Sequence, residues 1–354
     1  MKAVVRSKPG VLELAEVQQP VPGSGQVLVR SLRCGICGSD LHALDHFEHM
    51  FSVIPGRQPA KGKVVFGHQF CAQIVDYGPD TSRRLSIGSN VVSMPYARGP
   101  SGMELVGYSD KLPGGFGEYM VLEEMLLLPV ASTLSIPDAA MVEPLAVAEH
   151  AVNAARFSDK SVAMVVGCGP IGLTVIASLK ARGFGPVIAA DFSERRRRAA
   201  EILGADVVVD PGKDSPHSRW SDFNVPTTIE ALAVARYVGT PADAVIFECV
   251  GRKGLLQSLM VDGPPGAQII VVGVCMETDQ FEPILASAKE INLRFVNAYN
   301  ASEFSSALSN LTEGRINTTP MISSTVGLAG VADAFRRLRD PEAEVTVLIQ
   351  PDKV

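Results

Sequence analysis

Two patterns of apolar and polar residues divide the chain. In the second half, short apolar runs alternate with amphipathic stretches. Ser161–Val166 is an apolar run of strand length, and Gly172–Arg182 carries apolar residues at helical spacing. Val187–Asp191 reads as a strand, Glu194–Leu203 as a helix and Val207–Val209 as a strand. Ala244–Glu248 and Gln268–Val272 read as further strands. Strand, helix, strand in this order predicts right-handed crossovers and a parallel sheet. Residues 1–130 differ. Strand-like stretches at Gln26–Arg33, Cys71–Asp76 and Asn90–Met94 are separated by Pro22-Gly23-Ser24-Gly25, Gly78-Pro79, Gly99-Pro100 and Pro113-Gly114-Gly115. Short strands punctuated by Gly and Pro predict a β-rich barrel or sandwich-like unit. The pattern changes near Pro137, and Pro144–Phe157 has helical spacing with proline in its first turn. Helices near Glu303–Leu311 and Gly330–Leu338 and a strand at Glu344–Leu348 follow the second pattern. Gly212–Asn224 is polar, turn-rich and holds the only tryptophan, Trp220. It reads as a surface loop, with an interface anchor as the sharper alternative.

Composition narrows the class. A chain of 354 residues accommodates two domains at ~150 residues each. With 46% hydrophobic and 20% charged residues, disordered and fibrous classes are excluded. A net charge of −6 argues against nucleic acid as a partner. Mean hydropathy is +0.19, yet no apolar run reaches the ~20 residues of a membrane span. Met1-Lys2-Ala3-Val4-Val5-Arg6 lacks the long apolar segment of a secretory leader. A cytoplasmic location is therefore expected, with the tripeptides at Asn300, Asn310 and Asn317 unglycosylated. Of the cysteines at 34, 37, 71, 168, 249 and 275, only Cys34 and Cys37 are close in sequence. That spacing supports neither a disulfide framework nor a paired-CxxC zinc site.

The strongest local signal is Val165-Val166-Gly167-Cys168-Gly169-Pro170-Ile171-Gly172. It follows an apolar strand and opens an apolar helix, the context that a dinucleotide-binding turn requires. Gly167 permits the tight turn, Gly169 lets backbone approach a pyrophosphate, and Gly172 lets helix and strand pack closely. The helix N-terminus adds N–H donors for the phosphates. Asp191 lies 19 residues beyond Gly172, at the end of the next strand, where a carboxylate binds the adenine ribose. A carboxylate there favours NAD over NADP. The run Arg195–Arg198 reads as a solvated helix face, with Arg195 or Arg196 able to reach the ribose edge. The cofactor-binding set is Gly167, Gly169, Pro170, Ile171, Gly172, Asp191, Arg196 and Gly273.

Three residues are candidate metal ligands. Cys37 lies in Cys34-Gly35-Ile36-Cys37-Gly38-Ser39-Asp40-Leu41-His42, His68 in Phe66-Gly67-His68-Gln69-Phe70, and Glu143 in Val142-Glu143-Pro144-Leu145. Each has an ordinary alternative: a buried small residue, a hydrogen-bonded core histidine, and a carboxylate at a helix start. Spacing alone does not join them. These segments occur in order with Gly114-Gly115-Phe116-Gly117-Glu118-Tyr119, the Gly167–Gly172 turn, Leu203-Gly204-Ala205-Asp206 and Glu248-Cys249-Val250-Gly251. In that combination the chain resembles, over nearly its whole length, the zinc-dependent medium-chain dehydrogenase/reductase family of alcohol and polyol dehydrogenases.

The resemblance implies an α/β fold. A GroES-like catalytic domain would span 1–150 and 295–354, a doubly wound Rossmann domain 151–294, and catalysis would fall in the cleft between them. It implies a catalytic zinc on Cys37, His68 and Glu143, the carboxylate resembling the polyol and threonine dehydrogenase branch. Tyr96–Pro113, matching the lobe that binds a structural zinc in many members, has no cysteine, so one zinc per subunit is expected. Gln69 stands where the family usually has Glu. This leaves the site one negative charge poorer, with stronger Lewis acidity and weaker zinc retention expected. Cys34 is expected to be a buried neighbour. The implied reaction is hydride transfer between an alcohol, foremost a secondary one, and NAD. Ser39 resembles the relay hydroxyl, His42 the terminal base, and Asp40 a carboxylate orienting His68. In Leu44–Val53, Phe47, Met50 and Phe51 are placed on the substrate cleft, with a core role as the alternative, and His46 and His49 are expected in solvent. The rival readings are reduction of an activated C=C or C=N bond and a non-catalytic NAD-binding protein. A homodimer or homotetramer is expected, because Gln268–Val274 resembles the family's edge strand that pairs across a two-fold axis.

Overall fold

The computed structural model describes residues 1–53, 60 and 62–353. The chain divides into two compact units, Met1–Glu143 with Phe304–Val354, and Pro144–Glu303.

In the first unit, β1 (Lys2–Lys8) and β2 (Val11–Glu16) form a hairpin. β3 (Gln26–Gly35) leads into a helix, α1 (Gly38–Ser52), and β4 (Gln69–Tyr77) returns antiparallel to β3, pairing Gly35 with Gln69. β5 (Asn90–Ser93) follows. Then β6 (Tyr96–Gly99) and β7 (Gly102–Leu105) make a separate hairpin in the cysteine-free stretch. β8 (Tyr119–Glu123) pairs with β3, and β9 (Leu127–Pro129) pairs with β5. The core beneath these strands holds Phe47, Phe66, Ile74, Phe116, Met120 and Leu122. Helix α1 begins where Asp40 Oδ2 accepts the Cys37 N–H at 3.0 Å, a local bond that satisfies one of the orphan donors of a helix start.

In the second unit, β10 (Ser161–Val166), β11 (Val187–Ala190), β12 (Val207–Val209), β13 (Asp243–Glu248), β14 (Gln268–Val271) and β15 (Asn292–Phe295) form one sheet. Its order is β12-β11-β10-β13-β14-β15, and all neighbours are parallel. The apolar runs in β10 and β11 are buried on both faces, which a parallel sheet under crossover helices requires. Strand order reverses between β10 and β13, so their C-terminal ends form the switch point at which such sheets bind ligands. Back in the first unit, β16 (Ile322–Val326) and β17 (Thr346–Ile349) extend its sheet at β3.

Two expectations are corrected. Gly212–Asn224 lies largely at the surface, as expected, but it is not irregular throughout. Pro216–Phe223 is a 3₁₀ helix, and Trp220 is fully buried in the second unit's core, its indole N–H donating to His217 Nδ1 at 3.2 Å. The tryptophan is therefore not an interface anchor either. The strand starting at Gln268 is not an edge, because β15 pairs along its outer side, and the open edge is β15. Among the described residues, no helix is long and apolar enough to cross a membrane.

Candidate catalytic and cofactor sites

The glycine turn is shaped by crowding at two of its three glycines. Gly167 has φ +89°, and a Cβ there would stand 2.5 Å from Val250 Cγ2. At Gly172 a Cβ would stand 1.8 Å from the Gly167 carbonyl oxygen, so no larger residue fits this helix against this turn. Gly169 has room from the protein side, Arg196 Nη1 being its nearest neighbour at 3.7 Å. Pro170 and Ile171 then open the helix Pro170–Ala181. Asp191 follows β11 and is nearly buried. Its Oδ2 accepts the Cys168 N–H at 2.7 Å and its Oδ1 the Ser193 N–H at 2.8 Å. Arg196 Nη1 lies 3.9 Å from Asp191 Oδ2, and its buried Nε has no hydrogen-bond partner. Arg197 instead donates to the carbonyls of Asp191 and Phe192, and Arg198 pairs with Glu194. Gly273, just past β14, donates its N–H to the Glu248 carbonyl at 2.8 Å; a Cβ there would meet the Gly251 nitrogen at 2.2 Å. Burial pushes the Glu248 carboxyl up, against the N–H groups of Gly251 and Val250 that stabilise its charge.

In the first unit, Cys37, Ser39, Asp40 and His42 all ride on the start of α1. His68 immediately precedes β4 and is buried. The Cys37 side chain lies near the His68 ring, close enough to favour its protonated form. His68 Nδ1 stands 3.5 Å from Asp40 Oδ1 and forms no hydrogen bond. Burial pushes the imidazole down, but the Asp40 carboxylate and Cys37 outweigh it, and the ring is held well above its ordinary value. Asp40 is fully buried. Glu143 is buried at the end of the unit's first segment. The Cys34 thiol senses this grouping of acids: it is pushed well up by burial first, then by Asp40, with Glu143 and Cys37 adding. Cys34 itself fills the space left by two glycines, since a Cβ at Gly67 or Gly115 would stand 2.8 or 2.6 Å from its sulfur. Among the described residues, no three His, Cys, Asp or Glu side chains are drawn together closely enough to hold a metal ion as they stand. The structure therefore brings Cys37 and His68 near one another, with Asp40 behind the ring, and leaves Glu143 outside a closed three-donor set.

Tyr108 belongs to this grouping and has no counterpart in the sequence-derived set. Its hydroxyl lies 2.8 Å from Asp40 Oδ1 and 2.9 Å from Ser39 Oγ. Burial, then Asp40, pushes the phenol well up. His42 is half-buried and its pKa is lowered, by burial first and His46 second, with Asp45 opposing. His46 is exposed and breaks the helical backbone with φ −125° and ψ 28°; His49 is exposed. Phe47 is corrected: at 0% exposure it lines no open cleft, and it packs on Phe66 and Phe51 with the Arg6 guanidinium 5.0 Å above its ring. Met50 and Phe51 are half-buried against the same core. Gln69 is buried and packs over β3, its Oε1 within 2.8 Å of where a Cβ on Gly35 would be.

The chain matches the family models of the alcohol dehydrogenase GroES-like domain over residues 23–132 and of zinc-binding dehydrogenases over residues 170–313. It is 28% identical to (R,R)-butanediol dehydrogenase of Bacillus subtilis (strain 168), over 96% of this chain and 97% of that protein. It is 25% identical to sorbitol dehydrogenase of Bos taurus, over 92% and 90%. The crystal structure of 2R,3R-butanediol dehydrogenase from Bacillus subtilis superposes with a TM-score of 0.78 at 26% identity, covering 99% of both chains. The chain belongs to the zinc-dependent medium-chain dehydrogenase/reductase family and is a dehydrogenase of the alcohol and polyol type.

Proposed function

We propose that this enzyme interconverts an alcohol, foremost a secondary one, and its ketone or aldehyde, with NAD as the hydride carrier and one zinc ion per subunit. The observation that carries this reading is the buried His68 ring with Asp40 Oδ1 3.5 Å behind its Nδ1 and Cys37 close by. A thiolate and an imidazole whose far nitrogen faces a carboxylate suit zinc. Cys37 and His68 Nε2 would hold the ion, and the buried Glu143, outside a closed donor set as the site stands, would complete it by moving toward them. The β6–β7 hairpin carries no cysteine, so no second zinc is assigned. A zinc ion bound there supplies Lewis acidity that brings the pKa of an alcohol toward neutrality.

The remaining work falls to the chain's own groups. Ser39 Oγ takes the alcohol proton as it gives up its own hydroxyl proton to the relay, and His42, whose cation burial disfavours, accepts the proton at the relay's end. Asp191 accepts hydrogen bonds from the adenine ribose, and the Gly167–Gly172 turn with its helix N-terminus holds the pyrophosphate. Met50 and Phe51 are the apolar side chains assigned to the substrate. We also assign the enzyme to a homo-oligomer, a dimer or tetramer, formed through the β15 edge, where Phe295 is 64% exposed. A cytoplasmic setting suits six cysteines that form no disulfide.

The test is a panel of secondary alcohols, polyols and aldehydes read by NADH absorbance, before and after chelation. Turnover of an alcohol that is lost on chelation and restored by zinc supports the reading. Turnover only of an activated C=C or C=N bond overturns it.

A further inference from the structure

Tyr108 has no part in the function proposed above, yet it is built into the site. Its ring packs among Phe47, Phe51, Phe66 and His68, with centroids 6.3, 5.6, 5.7 and 5.2 Å away. A phenylalanine would fill that wall equally well. A tyrosine there must find partners for a buried hydroxyl, and it finds Asp40 Oδ1 at 2.8 Å and Ser39 Oγ at 2.9 Å. The hydroxyl has one proton. Tyr108 is the donor in both bonds, its one proton shared between Asp40 Oδ1 and Ser39 Oγ, which leaves the Ser39 proton free. The other Asp40 oxygen already accepts the Cys37 N–H at 3.0 Å. Both oxygens of the carboxylate that faces His68 are thus tied, one to the backbone of Cys37 and one to Tyr108.

We propose that Tyr108 is a positioning residue of this site. One phenol holds Asp40 against His68 Nδ1 and sets the rotamer of Ser39, so the metal ligand and the proton-carrying hydroxyl are fixed by the same group. The proposal rests on reading Cys37 and His68 as zinc ligands.

The experiment measures the rate at which purified enzyme loses zinc to a colorimetric chelator. It compares wild type, Tyr108→Phe, Asp40→Asn, the double variant and Phe66→Leu. Removing an outer-shell partner of a metal-bound histidine weakens retention ~10-fold or more. Tyr108→Phe should therefore lose zinc about 10-fold faster, and the double variant should add little to Asp40→Asn alone, because both act through one carboxylate. Phe66→Leu loosens the same aromatic cluster without touching Asp40; it should lower the melting temperature and leave the rate unchanged. A wild-type rate in Tyr108→Phe, full additivity in the double variant, or equal acceleration by Phe66→Leu overturns the positioning role. A wild-type enzyme that takes up no zinc overturns the metal reading instead. Should Tyr108→Phe not fold, 3-fluorotyrosine in place of all six tyrosines makes the phenol a stronger donor. Slower zinc loss then supports the proposal and an unchanged rate contradicts it.

Discussion

Asp191 already accepts one backbone N–H at each carboxylate oxygen, and each oxygen keeps a lone pair for a ribose hydroxyl. A 2′-phosphate would meet like charge there. Repulsion of that kind costs several kcal/mol, and every ~1.4 kcal/mol is tenfold in affinity. NAD should therefore be preferred over NADP by at least ~100-fold in kcat/KM. Arg196 is the counterweight, since it stands 3.9 Å from the carboxylate, while Arg197 and Arg198 are committed to carbonyls and Glu194. Asp191→Ser should release Arg196 and move the preference toward NADP; equal wild-type rates with both cofactors would show that Arg196 outweighs Asp191. His42 gives a pH prediction. Its pKa in the fold lies below the usual 6.5, because burial and then His46 disfavour the cation. The neutral base therefore persists below pH 6.5, and the acid limb of kcat/KM should fall there. The linked stability is complete above pH 6.5 and is lost as pH drops through the folded-state value. A pH–rate profile for His42→Gln should show a lower kcat and no such limb. A limb that survives the substitution would assign it to another group.

Among the elements, the turn from β10 into its helix is the least tolerant. Gly172→Ala would place a methyl 1.8 Å from the Gly167 carbonyl oxygen. Relief requires the helix to move off the sheet, at a cost of ~1–3 kcal/mol for overpacking, and weaker NADH binding should follow. Thermal melts and a fluorescence titration check both; an unchanged melt would mean the turn relaxes freely. This turn and its parallel strands were legible because strands buried on both faces read as unbroken apolar runs between glycine signals. Helix α1 was not: 1–130 read as β-rich. Its inward positions are Asp40, Ala43, Leu44 and Phe47, which is helical spacing, but a carboxylate in the first of them and three histidines blur the stripe. The same helix buries Phe47, which reads from sequence as equally suited to a cleft. Strand β15 was missed because most of its residues face solvent. Tyr108 could not be found by local pattern, since Asp40 lies 68 residues away in sequence. Trp220 looked like part of a loop because its polar neighbours face outward around one buried indole.

At the scale of the whole molecule, the proposed assembly rests on the open edge at β15. Leu293 and Phe295 belong to it, and an exposed apolar edge of this kind is stable in solution when it is paired or covered. Light scattering at micromolar concentration should give the mass of a dimer or tetramer, and Phe295→Glu should shift it toward the monomer; a wild-type monomer would remove the edge from the account. The central claim is a zinc-dependent hydride transfer served by Cys37, His68 and Glu143. Its most direct test is stoichiometric reconstitution: metal-free enzyme titrated with zinc while alcohol oxidation is followed by NADH absorbance. Activity should rise linearly and saturate at one zinc per chain, and Cys37→Ser should bind NADH yet gain no activity at any zinc concentration. Full turnover by the metal-free enzyme, or saturation only at two zinc ions per chain, would contradict it.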